Sequence, residues 1–218
     1  MYPNELADNT YSRVIWFNQS VANMTFRSSS NQDQGFILNV QRRGYYLVDY
    51  DEKLFSKISQ QLLSDHRRIP VENRATFFSD TWRLVEYNET SVSKFLDLTR
   101  YLKNEKSATV WERVAQTFMI LYPRIAENHS LAMQLNLYMS GLIEDHVKRI
   151  DFSWKDESMD YRARKLDYSI ATIACQLDHE EFSRRAMVEF EKIKDNVEDN
   201  LLVSIFLAIF IHPELRIH

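Results

Sequence analysis

The hydrophobic period of this chain changes once, at Asp51, and does not change back. In "NVQRRGYYLVDYDEKLF", residues 39 to 55, Tyr46, Val48 and Tyr50 alternate with Leu47 and Asp49. That is the two-residue period of a strand. Beyond Asp51, Leu54, Phe55, Ile58 and Leu62 recur at the spacing of one helical face. Six more stripes follow. Val71, Ala75, Phe78, Trp82 and Val85 begin after Pro70, which suits a first helical turn. Val92, Phe95, Leu96 and Leu102 form the next. Val110, Val114, Phe118 and Leu121 run to a stop near Pro123. Leu131, Leu135, Tyr138 and Leu142 come next, then Leu166, Ile170, Ile173 and Leu177, then Phe182, Ala186, Phe190 and Ile193. An apolar run, "LLVSIFLAIFI" at 201 to 211, closes the series.

Starts spaced every 20 to 25 residues or so give two helices per about 40 to 45, the period of helical-pair solenoids. The chain is therefore expected to be mainly α, a HEAT- or armadillo-like α-α superhelix of about eight helices. Ahead of it, "RVIWF", "MTFR" and "GFILNV" are short strand candidates within residues 11 to 50. They are too few to close a sandwich, and a two- or three-stranded sheet needs something to pack on. Residues 1–50 thus read as a β-rich remnant of a sheet domain, and 51–218 as the helical domain. Trp82, on the second stripe, is expected to be buried between helices.

Composition excludes several classes of function. Only Gly35, Gly44 and Gly141 occur, so no glycine-rich phosphate loop, dinucleotide fingerprint or nucleophile elbow can be built. Net charge is -4 and the basic pairs Arg42-Arg43, Arg67-Arg68 and Arg184-Arg185 are scattered, which argues against nucleic acid as a partner. The run at 201 to 211 is shorter than the roughly 20 residues of a membrane span and reads as a buried helix. No signal peptide is visible. The single cysteine, Cys175, has no intrachain partner for a disulfide and sits among Ile170, Ile173 and Leu177, as a small buried residue would.

No catalytic or metal-ligating set emerges. "DHEEFS" at 178 to 183 matches the first half of HExxH through His179 and Glu180, but the fifth position is Ser183. A zinc site of that kind needs both imidazoles on one helical face. The segment reads instead as a polar helix start with Asp178 as N-cap. The other histidines, 66, 129, 146, 212 and 218, form no ligand-spaced pair. The acid pairs Asp51-Glu52 and Glu180-Glu181 stand at helix starts, where they favour the macrodipole. Four sequons occur, at Asn18, Asn23, Asn88 and Asn128, against about two by chance. They are glycosylation candidates and point to the secretory pathway or the extracellular face of a membrane. The alternative is a cytoplasmic chain with four unused triplets.

The stretch at the period change resembles the domain junction of the gluzincin zinc aminopeptidases, the alanyl, leucyl/cystinyl and puromycin-sensitive group. Their strand of the form N-x-x-x-x-GYYRVNYD leaves a small β-sandwich and enters a C-terminal helical domain. Asn39, Gly44, Tyr45, Tyr46, Val48, Tyr50 and Asp51 match it; Leu47 stands for its usual Arg and Asp49 for its usual Asn. "IPVENRATFFSDTWRL" at 69 to 84 is similar to the family's I-x-x-x-NRAQLIDDAFNL segment, through Ile69, Asn73, Arg74, Ala75, Asp80 and Leu84. "FLDLTRYLKNEKSATVWERV" at 95 to 114, the helix pair around Cys175 and Ala186, and "HPELRIH" with Pro213, Leu215 and Arg216 continue the likeness in order. The second Cys of the family's helix pair is absent here, so its disulfide is expected to be absent too.

The resemblance implies the end of the sandwich domain followed by about the first two-thirds of the helical one. It makes Gly44, Tyr45, Tyr46, Tyr50, Asp51, Asn73, Arg74 and Asp80 structural motif residues. The family's zinc ligands, catalytic Glu and substrate-amine loop lie upstream of what matches. The expected function is a non-catalytic domain that encloses the peptide cavity and packs on a catalytic domain. Neither cofactor nor metal is expected in this chain, and zinc is implied for a full-length parent. The competing expectation is a stand-alone helical scaffold or peptide-binding protein derived from an aminopeptidase.

Overall fold

The computed structural model describes residues 35–152 and 160–193. Seven α-helices are found there: α1 (Glu52–Asp65), α2 (Val71–Glu86), α3 (Val92–Thr99), α4 (Ala108–Ile125), α5 (His129–Val147), α6 (Tyr161–Gln176) and α7 (Glu180–Ile193). The fold is mainly α. The apolar run at 201 to 211 and the strand candidates before residue 35 lie outside the described residues.

Within the described residues no strand is formed, and this corrects the expectation for 35 to 50. "GFILNV" leads into a single 3-10 turn at Val40–Arg42, and residues 47–50 carry no ladder. The reason is local. Asn39, Gln41 and Arg42 take positive φ, 50°, 57° and 53°. Three left-handed residues within four break an extended run, and a strand without a neighbour has no ladder to join.

Two compact units make up the fold, one ending at Tyr101 and the other starting at Leu102. In the first, Asp51 caps α1, its carboxylate accepting the Leu54 N–H at 2.8 Å. This side-chain bond is what turns the chain into a helix at the period change. Phe55, Ile58 and Leu62 are buried along α1. The next helix is covered on nearly every side, with Asn73 through Phe78 and Asp80 through Trp82 all buried. Its aromatic stripe interlocks with α3. Phe78 meets Phe95 edge-on at 5.8 Å and Trp82 meets Phe95 edge-on at 5.6 Å. The helix α3 ends at Thr99, so Leu102 is not on it, and its buried apolar face is Phe95 and Leu98.

In the second unit α4 and α6 pack most extensively, with α5 against both. Alternate helices are thus layer neighbours, as in helical-pair solenoids. The Trp111 indole donates to the Glu105 carbonyl at 3.0 Å from a fully buried position. Pro123 does not stop α4; it sits inside the last turn, and the helix runs on to Ile125. So near the end, the lost N–H affects one bond only. On α5 the buried face is Ala132, Leu135, Met139, Leu142 and Ile143, while Leu131 and Tyr138 are exposed. The stripe is rotated from the expected one because α5 is apolar around most of its circumference, which leaves periodicity little contrast to read. Arg185 of α7 reaches the C-terminus of α5, donating to the Val147 carbonyl and, at 2.7 Å, to that of Ile150. A guanidinium there satisfies orphan carbonyls at the negative end of the helix dipole.

Trp82 is 5% exposed and its ring is one of the largest bodies between α2 and α3. Truncating it to alanine removes an indole from a packed site that cannot fully collapse. Trp82→Ala is expected to cost about 3 to 5 kcal/mol. A urea unfolding curve checks this, and an unchanged midpoint would contradict the packing.

Candidate functional site: the junction held by α2

The polar side chains of α2 face the segment that precedes α1. Asn73 and Asp80 are seven residues apart, two helical turns, and so share a face. Asn73, 1% exposed, uses both ends of its carboxamide. Its Oδ1 accepts the Gln41 N–H at 2.7 Å, and its Nδ2 donates to the Asn39 carbonyl at 3.1 Å. Two turns on, Asp80 Oδ2 accepts the Val48 N–H at 3.2 Å. The segment between them is closed on itself by Asn39. Its Oδ1 accepts the Gly44 N–H at 2.7 Å, and its Nδ2 donates to the Gly44 carbonyl at 2.9 Å. A Cβ on Gly44 would come within 2.2 Å of the Tyr46 ring, so only glycine lets that ring lie there.

Tyr50 completes the arrangement. Its ring meets Phe77 of α2 edge-on at 5.9 Å, and its hydroxyl accepts the Leu38 N–H at 3.0 Å. Burial pushes its phenol up to about 12, against the lowering effect of that N–H. Burial likewise raises the Asp80 carboxyl above its ordinary range; the Val48 N–H and the charge of Arg42 oppose it. From α3, Lys94 donates to the Tyr50 carbonyl at 2.7 Å and to Asp49 Oδ1 at 3.1 Å, with its ammonium 4.9 Å from the centre of the Phe55 ring. Sequence reasoning missed Lys94. Its one signal is Asp49, an acid at a position where the resembled pattern has Asn.

Of the eight motif residues, Gly44, Tyr46, Tyr50, Asn73 and Asp80 meet at this junction. Asp51 caps the helix that leaves it. Arg74 is placed elsewhere, donating to the Ile69 carbonyl at 2.6 Å and so fastening the turn between α1 and α2. Tyr45 is fully exposed. The arrangement can hold a chain segment in a fixed path. It has no nucleophile beside a base.

The histidines are dispersed. His66 lies against Tyr101, with ring centres 5.5 Å apart, and His129 is exposed at the start of α5. His212 and His218 fall outside the described residues. His179 corrects the expected N-cap. Asp178 takes a left-handed φ of 51° in the turn after α6, and the cap of α7 is His179, whose Nδ1 accepts the Phe182 N–H at 3.4 Å. Its Nε2 is 3.2 Å from Glu144. Three residues separate the helices; Leu177 closes α6 and Asp178 makes the left-handed turn, which leaves His179 to cap α7. Cys175 is buried on α6. Among the described residues no three of His, Cys, Asp and Glu come together in a way that could hold a metal ion, and no helix is long and apolar enough to cross a membrane.

His146 is buried at the C-terminal end of α5, edge-on to Trp111 at 5.0 Å. Burial, helped by Arg149, lowers its pKa, against the smaller raising effects of Asp145, the Leu102 backbone and Glu105. The unfolded chain therefore binds a proton more readily than the folded one. The stabilising effect is complete above the ordinary histidine value of about 6.5 and is lost as pH falls through the lowered folded value. His146→Phe keeps a ring against Trp111 and removes the titration. Its stability is expected to fall less than that of the parent chain between about pH 7 and pH 5, as read by urea midpoints.

Removing Asn73 tests the junction itself. Asn73→Ala removes the acceptor of the Gln41 N–H and one of two donors to the Asn39 carbonyl, which keeps the Arg42 N–H, at an expected cost of about 1 to 3 kcal/mol. Amide exchange at Gln41 should rise with it, while the Leu54 amide capped by Asp51 stays protected. Unchanged exchange at Gln41 would refute the role given to Asn73.

The family model described as "ERAP1-like C-terminal domain" matches residues 36–216. Aminopeptidase Q of Homo sapiens is 27% identical over 210 residues, covering 90% of this chain and 20% of that protein. Glutamyl aminopeptidase of Mus musculus is 25% identical over 180 residues, 82% of this chain and 19% of that protein. Aminopeptidase N of Canis lupus familiaris is 28% identical over 161 residues, 72% and 16%. The chain spans about a fifth of the length of the first two of these relatives.

Proposed function

Since the chain belongs to the ERAP1-like C-terminal domain family, we propose that it serves as the non-catalytic C-terminal module of a zinc aminopeptidase. The observation that carries this reading is the match of residues 36–216 to that domain family, together with alignments that cover about a fifth of aminopeptidase Q and of glutamyl aminopeptidase. In this reading residues 1–50 are the end of a sandwich domain and 51–218 the helical domain. The junction on α2 then fixes the path by which the chain passes from one to the other. Asn73 and Asp80 hold it by satisfying backbone groups, and Lys94 holds it by charge.

The module's part in catalysis is one of shape. A helical concavity can enclose a peptide and exclude bulk water from a site built by another domain. Hydrolysis needs three protein ligands to zinc, an open position for water and a positioned base. The described residues do not fit that need, since no three potential ligands converge. No chemical step is assigned to this chain, and zinc belongs to the parent's catalytic domain. Aminopeptidase Q, glutamyl aminopeptidase and aminopeptidase N as relatives support placement in the secretory pathway or on the extracellular face of a membrane.

The purified 218-residue chain, supplied with zinc, is expected to release no amino acid from aminoacyl-anilide or peptide substrates. Zinc content by elemental analysis and turnover with and without a chelator check this together. Stoichiometric zinc with chelator-sensitive turnover would overturn the reading. The coding sequence upstream of Met1 separates the parent hypotheses. An in-frame HExxH followed by a second Glu supports the aminopeptidase module, and its absence supports a peptide-binding or scaffold protein.

A further inference from the structure

We propose that Asn88 is an acceptor for N-linked glycan and that Asn128, which carries the same type of triplet, is not. Both sequons stand at helix ends, but the fold uses their side chains differently. Asn88 follows α2 with φ 59°, and the Glu89 N–H closes the helix on the Leu84 carbonyl at 2.9 Å. This is a Schellman-type stop, made by backbone groups alone. The left-handed φ accounts for an asparagine here, as the residue that best tolerates that conformation after glycine. It does not account for the hydroxyl two residues on. Tyr87, Asn88 and Glu89 are all exposed, Thr90 is partly so, and among the described residues the Asn88 carboxamide and the Thr90 hydroxyl form no hydrogen bond. Both groups that a transferase must engage are therefore presented together and unspent.

At Asn128 the same groups are committed to the fold. The carboxamide Oδ1 caps α5, accepting the Leu131 N–H at 3.1 Å. Ser130 is already inside the first turn of the helix, its Oγ accepting Gln134 Nε2 at 3.5 Å. An N-cap contributes about 1 kcal/mol to its helix. Presenting this triplet in an extended form means unwinding that turn.

The reaction at Asn88 is a group transfer from a lipid-diphosphate-linked oligosaccharide. A bond forms between Asn88 Nδ2 and the anomeric carbon of the first sugar. The bond from that carbon to the diphosphate oxygen breaks, the lipid diphosphate leaves with the electron pair, and one Nδ2 proton passes to a base of the transferase. No oxidant or reductant is involved. Protein-side bonds need no change, because the stop of α2 uses only the Asn88 and Glu89 backbone.

The inference rests on the secretory placement proposed above, so the test supplies that placement independently. The full 218-residue chain, with Asn18→Gln and Asn23→Gln, is expressed in a eukaryotic secretory system behind a cleavable leader. A reporter sequon appended after His218 certifies entry to the lumen. Beyond the reporter, one glycosidase-sensitive mass shift is expected, lost in Asn88→Gln and in Thr90→Ala and retained in Asn128→Gln. Thr90→Ala leaves the helix stop untouched, so its loss of shift cannot be ascribed to misfolding at Asn88. Enzymatic release of the glycan should convert Asn88 to Asp, read by peptide mass spectrometry. A shift that survives both Asn88→Gln and Thr90→Ala, or a glycosylated reporter with Asn88 bare, overturns the proposal. A further shift mapped to Asn128 overturns the distinction between the two sites. Failure of the untagged natural protein to enter the lumen would bear on its localisation alone.

Discussion

Two side chains on one face of α2 supply hydrogen bonds that the segment before α1 cannot make for itself. Residues 38 to 48 include three left-handed positions and no ladder. Backbone groups in such a path have no regular partners, and buried ones left unpaired are costly. Asn73 takes one donor and one acceptor of that segment, Asp80 takes another donor, and Tyr50 takes the Leu38 N–H. The helix can spare these polar residues because its other faces carry Phe77, Phe78 and Trp82. A helix with an aromatic face and a polar stripe along another side thus serves as core and as clamp together. The burial of Asp80 raises its carboxyl, which is the electrostatic cost of using an acid rather than an amide in that place.

The second unit solves a related problem at its helix ends. There, orphan groups at helix termini are met by side chains from a neighbouring helix or from the turn itself. Arg185 covers carbonyls at the end of α5, and His179 caps α7 while touching Glu144. These polar residues look at first like chemistry. In His179 both ring nitrogens are engaged, one by the Phe182 N–H and the other by Glu144. The same accounting separates the two sequons in the described residues. One asparagine is occupied as a helix cap, and the other ends its helix through backbone alone.

In the proposed reading the junction on α2 lies where the chain enters the helical domain, and its polar side chains hold the path of the entering segment. Asp49 and Leu47 depart from the resembled pattern, and at Asp49 the departure is met by Lys94.

The sequence by itself determined the helical class, the change of period at Asp51, the burial of Phe55, Ile58, Phe78, Trp82, Val110, Ile170 and Phe182, and the family, because spacing and ordered motifs survive without coordinates. It marked Gly44, Tyr50, Asn73 and Asp80 without saying what they touch. Only the tertiary structure decided that Tyr46 to Tyr50 form no strand, since alternation states a side-chain pattern and pairing requires a neighbour. It also moved the N-cap from Asp178 to His179, carried α4 past Pro123 and rotated the buried stripe of α5. Each of those depends on which backbone groups found partners, and that is a property of contacts between distant residues such as Gln41 with Asn73 and Val48 with Asp80, which no local period encodes.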